Sequence, residues 1–184
     1  GQGETLQDTS AMFSLFLDVL VLRLYEEEKL YEFARNSKIP IINGLTNESH
    51  PCQVLADIFT FQEFRGSISG KKVVWLGVAN NVFQSFLHAA VALKFQIVFS
   101  GPLKFQPGEK MLEFIQNHNS NILTIEPNPV VAVDSADLVV TDKWVSMHDN
   151  QLPKSDIDDL SNYRVTKKLC LLYTSDAADE SVRV

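Results

Sequence analysis

From residue 19 onward the chain alternates short apolar runs with longer segments whose apolar residues recur at helical spacing, and this alternation restricts the fold more than any other feature. Strand-like runs fall at 19–24, which reads as a buried strand, at a run ending at 42, and at 72–76, 96–100, 122–125 and 138–141, with helix-like segments at 26–36, 51–64, 81–93 and 108–118. Strands separated by a helix cannot pair as tight hairpins. They pair in parallel, with the crossover helices laid against the sheet. The expected class is therefore α/β, with Rossmann-like parallel sheets carrying helices on both faces. Ahead of the first strand, Met12, Phe13, Phe16 and Leu17 recur at helical spacing, so a further helix is expected over 10–17, capped by Thr5 or Asp8.

In such sheets ligands collect at the carboxyl ends of the strands, so the residues just past each apolar run carry the interest. Asn43-Gly44 is a turn signal, because both residues tolerate positive φ. Pro51 suits the first position of a helix, which makes His50 the N-cap and sets Gln53 in the first turn. A helix N-terminus has unpaired N–H groups and the positive pole of the macrodipole, so His50 and Gln53 there can hold a carbonyl or phosphate oxygen. His50 can equally be a plain cap. Arg23 ends the run 19–24, where it can meet an anion or pair with one of Glu26 to Glu28. Asp142 follows the run 138–141, where its carboxylate can receive an α-ammonium group or cap the next turn. The strand 72–76 runs into Gly77, but Val78-Ala79-Asn80-Asn81-Val82 lacks the later glycines of a dinucleotide fingerprint, and that reading is rejected. The helix at 51–64 is apolar at Val54, Leu55, Ile58, Phe59 and Phe61, wider than one stripe, and is expected to be buried on more than one side. His88 and His118 read as surface or helix residues.

Composition excludes several classes. With 184 residues, 45% hydrophobic and 21% charged, the chain can bury one good core or build one large domain plus part of another. The net charge of −7 is spread along the sequence with no basic stripe, which argues against a nucleic-acid surface or an anionic membrane. The longest apolar run, 11–24, is interrupted by Asp18, is too short to span a bilayer, and follows no basic segment of the kind a signal peptide needs. Two cysteines, Cys52 and Cys170, give neither a disulfide framework nor metal-ligand spacing, so a reducing compartment is the default.

Three blocks in order, Asn43-Gly44-Leu45-Thr46, His50-Pro51-Cys52-Gln53 and Leu55-Ala56-Asp57, resemble the central signature of the ornithine carbamoyltransferases, with the aspartate enzymes second. Gly3-Glu4-Thr5, Asp8-Thr9 and the segment from Asp18 to Arg23 resemble the stretch that precedes that signature, and Asn80-Asn81 resembles the family's Gly-Asp-Gly-Asn-Asn loop with Val78 and Ala79 as departures. Asp142-Lys143-Trp144-Val145-Ser146-Met147 is similar to the substrate loop of the ornithine enzymes, which usually continues with Gly where this chain has His148. The resemblance implies that Arg23, His50 and Gln53 bind carbamoyl phosphate and act in catalysis. It implies further that Asn81, Asp142, Ser146 and Met147 bind ornithine.

The implied architecture has two domains. Residues 1–50 would be the C-terminal part of the carbamoyl-phosphate-binding domain, 51–66 an interdomain helix, and 67–169 an incomplete ornithine-binding domain. The tail 170–184 departs from the family pattern and is set aside as a candidate non-native segment, and Cys170 receives no role. The implied reaction carries the carbamoyl group to the δ-amine of ornithine, giving citrulline and phosphate, a step of arginine biosynthesis or the urea cycle, with no metal or nucleotide cofactor. The family's Ser-Thr-Arg-Thr phosphate cradle and His-Cys-Leu-Pro loop have no counterpart in this sequence, so the chain is expected to be an internal portion, inactive alone, of an enzyme whose trimer shares active sites between subunits. A cytoplasmic location, or a mitochondrial matrix one, would follow. Two further readings stay open: a transferase of the same fold with another acceptor (aspartate, putrescine or an acylated ornithine), and a non-catalytic ligand-binding remnant.

Overall fold

The computed structural model describes residues 3–118, 121–144 and 152–173. The chain opens with α1 (Leu6–Phe13), β1 (Leu20–Arg23), α2 (Glu27–Asn36) and β2 (Ile41–Leu45). The helix α3 (Pro51–Arg65) leads into β3 (Lys72–Leu76), α4 (Asn81–Leu93), β4 (Gln96–Ser100), α5 (Glu109–His118) and β5 (Leu123–Ile125). The order closes with α6 (Pro129–Val133), β6 (Leu138–Thr141), α7 (Lys154–Ser161) and α8 (Lys167–Tyr173). Helices α6, α7 and α8, none longer than eight residues, fall outside the sequence reading.

Two parallel sheets result, as the alternation requires. The first pairs β1 with β2, and the second has the order β5-β4-β3-β6. Alternate residues of β3 point to opposite faces, and each face has its own core. Val73 and Trp75 pack with α3, α4 and the flanking strands through Val54, Ile58, Phe83, Phe86, Ile97 and Phe99. Val74 and Leu76 pack on the other side with Ala132 and Val133 of α6 and Leu169 of α8. This second sheet is thus covered on both faces, which explains why β3 is continuously apolar from Val73 to Leu76 rather than alternating.

Three expectations need correction. Helix α1 begins four residues earlier than the apolar spacing indicates, because the Thr5 side chain accepts the Asp8 N–H at 3.0 Å and fixes the start. Asn43-Gly44 is not a turn but lies within β2. There the register shifts between Leu22 and Arg23, with Leu22 opposite Asn43 and Arg23 opposite Leu45, so Gly44 is the extra residue of a bulge. A Cβ on Gly44 would stand 3.0 Å from the Leu22 carbonyl oxygen, so the close approach of the two strands, rather than positive φ, explains the glycine. Third, neither β1 nor α3 is buried all round. Val21 is 58% exposed because β1 has only β2 beside it among the described residues, and Leu55 and Phe59 are 63% and 62% exposed while Val54, Ile58 and Phe61 are buried. Only one face of α3 is covered.

Helix α3 ends where expected, at Gly66, which takes φ +76° and donates its N–H to the Gln62 carbonyl at 3.0 Å. Among the described residues no helix is long and apolar enough to cross a membrane.

Candidate active site

The carboxyl ends of β1, β2, β3 and β6 open on one cavity of about 390 Å³, lined by Arg23, His50, Gln53, Asn81, Asp142 and Trp144 among others. Five of the seven residues singled out in the sequence therefore meet at one place. Ser146 and Met147, with His148, lie outside the described residues.

Arg23 reaches this cavity as the last residue of β1, beyond the bulge. No ion pair to Glu26, Glu27 or Glu28 is formed by it among the described residues, where Glu26 pairs instead with Lys29 at 2.8 Å. Gln53 lies in the first turn of α3 and donates through Nε2 to Asp57 Oδ1 at 2.8 Å. Burial raises the pKa of Asp57, against the pull of that Gln53 bond, and nearby Asp142 pushes it further up.

His50 is the N-cap of α3 in position only, since its side chain makes no capping hydrogen bond. Its Nδ1 is shut off from solvent and has no hydrogen-bond partner among the described residues. Burial lowers the imidazole pKa below the ordinary histidine value, and the Arg23 guanidinium lowers it further, while Asp142 and Asp57 oppose the shift. A neutral ring keeps one N–H to donate and one nitrogen to accept. The simple capping alternative has no hydrogen bond behind it.

Across the cavity, Asn80 and Asn81 divide the work of the α4 N-terminus. Asn80 caps the helix, its Oδ1 accepting the N–H groups of Val82 and Phe83, each at 3.1 Å. The same side chain donates through Nδ2 to Asp142 Oδ2 at 2.8 Å, which orients the carboxylate toward the site. Asn81 Nδ2 donates to the Thr46 carbonyl at 2.7 Å, bringing the second sheet onto the 46–50 segment. The loop between β3 and α4 turns at Gly77, with φ +117°. Trp144 lies over that glycine, its Nε1 3.3 Å from where a Cβ would be, and the Arg164 guanidinium sits 5.5 Å from the Trp144 ring centre.

Sequence reasoning chose Asn81 and passed over Asn80, although an asparagine immediately before a helical run is a cap signal that would have found it. His88 and His118 sandwich Phe114, at ring distances of 4.1 and 4.3 Å, and His118 Nδ1 lies 2.8 Å from the Phe114 carbonyl. Neither lines the cavity. Among the described residues no cluster of three or more His, Cys, Asp or Glu side chains could hold a metal ion.

Paired parallel sheets, with the N-terminus of α3 on one side of a cleft and a carboxylate with amides on the other, define a class that also appears in sequence. The model of the aspartate/ornithine carbamoyltransferase carbamoyl-P binding domain matches residues 1–63, and that of the Asp/Orn binding domain matches residues 69–178. The chain belongs to the aspartate/ornithine carbamoyltransferase family. Its similarity to individual members points to one branch. It is 50% identical over 154 residues to an ornithine carbamoyltransferase of Ruegeria pomeroyi, covering 84% of this chain and 50% of the relative. To an ornithine carbamoyltransferase of Rhodopseudomonas palustris it is 42% identical over 177 residues, 96% of this chain and 56% of the relative. Among solved structures, the anabolic ornithine carbamoyltransferase of Campylobacter jejuni aligns with a TM-score of 0.86 at 30% identity, over 96% of this chain and 59% of that one. The ornithine carbamoyltransferase of Burkholderia thailandensis aligns with a TM-score of 0.82 at 35% identity, over 95% and 55%. The chain spans about half the length of the curated relatives it matches.

Proposed function

We propose that this chain is a segment of an ornithine carbamoyltransferase, in which carbamoyl phosphate gives its carbamoyl group to the δ-amine of ornithine. The observation that carries the reading is the single cavity holding Arg23, His50 and Gln53 on one wall and Asn81 and Asp142 on the other. A phosphate and a carbonyl oxygen suit the first wall, which offers a guanidinium, an amide and the positive end of α3. An amino acid suits the second, where the Asp142 carboxylate meets an ammonium group and Asn81 supplies an amide. Ser146 and Met147 complete the amino-acid contacts in this proposal.

The neutral amine attacks the carbonyl carbon, negative charge develops on oxygen in a tetrahedral intermediate, and phosphate leaves with the C–O bond electrons while taking up the proton that the attacking nitrogen gives up. Arg23, His50 and Gln53 serve as donors to that oxygen and to the phosphate, each preorganised donor lowering the barrier by roughly 3 kcal/mol. Asn81 and Asp142 hold the amine in line, an effect of proximity. Within the same proposal, residues 1–50 belong to the carbamoyl-phosphate domain, 51–66 form the interdomain helix and 67–169 belong to the ornithine domain; the family match runs on to residue 178, so the tail from 170 is not set apart as a whole. The intact protein is proposed to act as a homotrimer in the cytoplasm.

The test is citrulline formation by the intact gene product from carbamoyl phosphate and ornithine, run beside a panel of aspartate, putrescine and acetylornithine. Citrulline as the preferred product supports the reading. Preference for another amine moves the acceptor and keeps the transferase, and no product with any amine overturns both.

A further inference from the structure

Ser85 lies one turn into α4, four residues after Asn81, and is 7% exposed. Its hydroxyl donates to the Asn81 carbonyl at 3.1 Å, the usual way a helical serine satisfies its proton within its own helix. The oxygen's lone pairs remain to accept. One of them takes the backbone N–H of His50 at 2.8 Å, from a residue 35 positions earlier at the other sheet.

The peptide joining Ser49 to His50 is therefore held at both ends. Its carbonyl accepts the Thr46 N–H at 2.8 Å, and its N–H is held by Ser85. Since the His50 side chain neither caps α3 nor bonds through Nδ1, the position of the ring is inherited largely from this peptide. A second bond, from Asn81 Nδ2 to the Thr46 carbonyl at 2.7 Å, closes the arrangement. Two residues of one helical turn thus grip the two ends of the segment 46–50.

We propose that Ser85 is a positioning residue whose hydroxyl, bonded at once to Asn81 and to the His50 N–H, sets the carbamoyl-facing imidazole in register with the amine-facing side of the cavity. The catalytic consequence rests on the transferase reading above; the hydrogen-bond relay does not. Removing the hydroxyl leaves the His50 N–H without its acceptor and lets the ring drift from the developing oxyanion, so the loss falls on kcat rather than on ornithine binding.

The test uses the intact gene product with Ser85→Ala and Ser85→Thr, read by citrulline kinetics and by amide hydrogen exchange at His50. With alanine, kcat is expected to fall on the order of tenfold, the KM for ornithine to hold, and the His50 amide to exchange faster by a similar factor while Val74 and Trp75 stay protected. Threonine keeps a hydroxyl and is expected to restore both readouts. Unchanged kcat, unchanged His50 exchange, or a loss that threonine does not recover overturns the proposal. If the unmutated protein makes no citrulline, the transferase reading fails while exchange at His50 still decides the relay, and if the alanine variant does not fold, an unprotected His50 amide in the unmutated protein overturns it.

Discussion

Gly101→Ala is expected to destabilise this protein sharply, by an amount that follows from three short distances. A Cβ built on Gly101 would stand 2.0 Å from the Gly77 carbonyl oxygen and 2.8 and 3.0 Å from Cζ and Cε1 of Phe99. Neither neighbour can yield cheaply. The Gly77 oxygen is backbone, in a residue with φ +117° whose N–H donates to Ser100 at 2.9 Å, and Phe99 is fully buried with its ring edge-on to Phe83 at 5.1 Å. Overpacking a well-filled core costs about 1–3 kcal/mol, and a clash this deep against backbone belongs at the top of that range, about 3 kcal/mol. For a chain of this size each kcal/mol moves the melting temperature by about 2–4 °C, so a fall of roughly 6–12 °C is expected. The displaced Gly77 feeds directly into the loop that presents Asn80 and Asn81, so under the proposed function ornithine binding by the intact protein should weaken as well. Gly108→Ala is the control, because a Cβ there meets nothing within 4 Å. Thermal melts of the two variants beside the unmutated protein give the answer. Equal melting temperatures for all three would refute the steric argument.

Asn80→Ala removes both the cap of α4 and the partner of Asp142, with the lost cap costing about 1 kcal/mol. Asn80→Ser keeps a capping oxygen but does not reach Asp142, so under the proposed function calorimetry on the intact protein should find weakened ornithine binding in both variants, with a lowered melting temperature only in the alanine one. The His50 imidazole, held neutral by burial and by Arg23, should titrate by NMR below the ordinary value of about 6.5. Because the folded pKa is the lower one, its contribution to stability is complete above the unfolded histidine range and is lost as pH falls through the folded pKa. Arg23→Gln should move that titration upward, and an unmoved pKa would separate the two side chains.

The alternation of apolar runs with helical spacing was enough to specify two parallel sheets, because period and run length survive in any tertiary context. Burial was less legible. Val21, Leu55 and Phe59 are as apolar as Val73 or Phe61, and nothing local to them records that the described chain leaves their faces uncovered. Asn43-Gly44 has the composition of a turn, yet a parallel partner made it a bulge, a case of non-local pairing overriding local propensity. At the site, Pro51 announced the helix start and so located His50 and Gln53. The bonds that join the halves, Asn80 to Asp142 and His50 to Ser85, cross 62 and 35 residues and leave no periodic trace.

The order β5-β4-β3-β6 has a kinetic consequence. Strand β6 pairs beside β3, Val73 opposite Leu138 and Leu76 opposite Thr141, on the side away from β4 and β5. That closure spans some 65 residues, as the bond from Thr141 to the Leu76 carbonyl illustrates, whereas β3 and β4 meet across a single helix. Loop-closure entropy makes the longer pairing the slower one. Asp142 rides on the end of β6, so during refolding the carboxylate side of the cavity is expected to form later than the β3-β4 pairing, and a ligand that needs Asp142 would report that later step rather than the first collapse of the core.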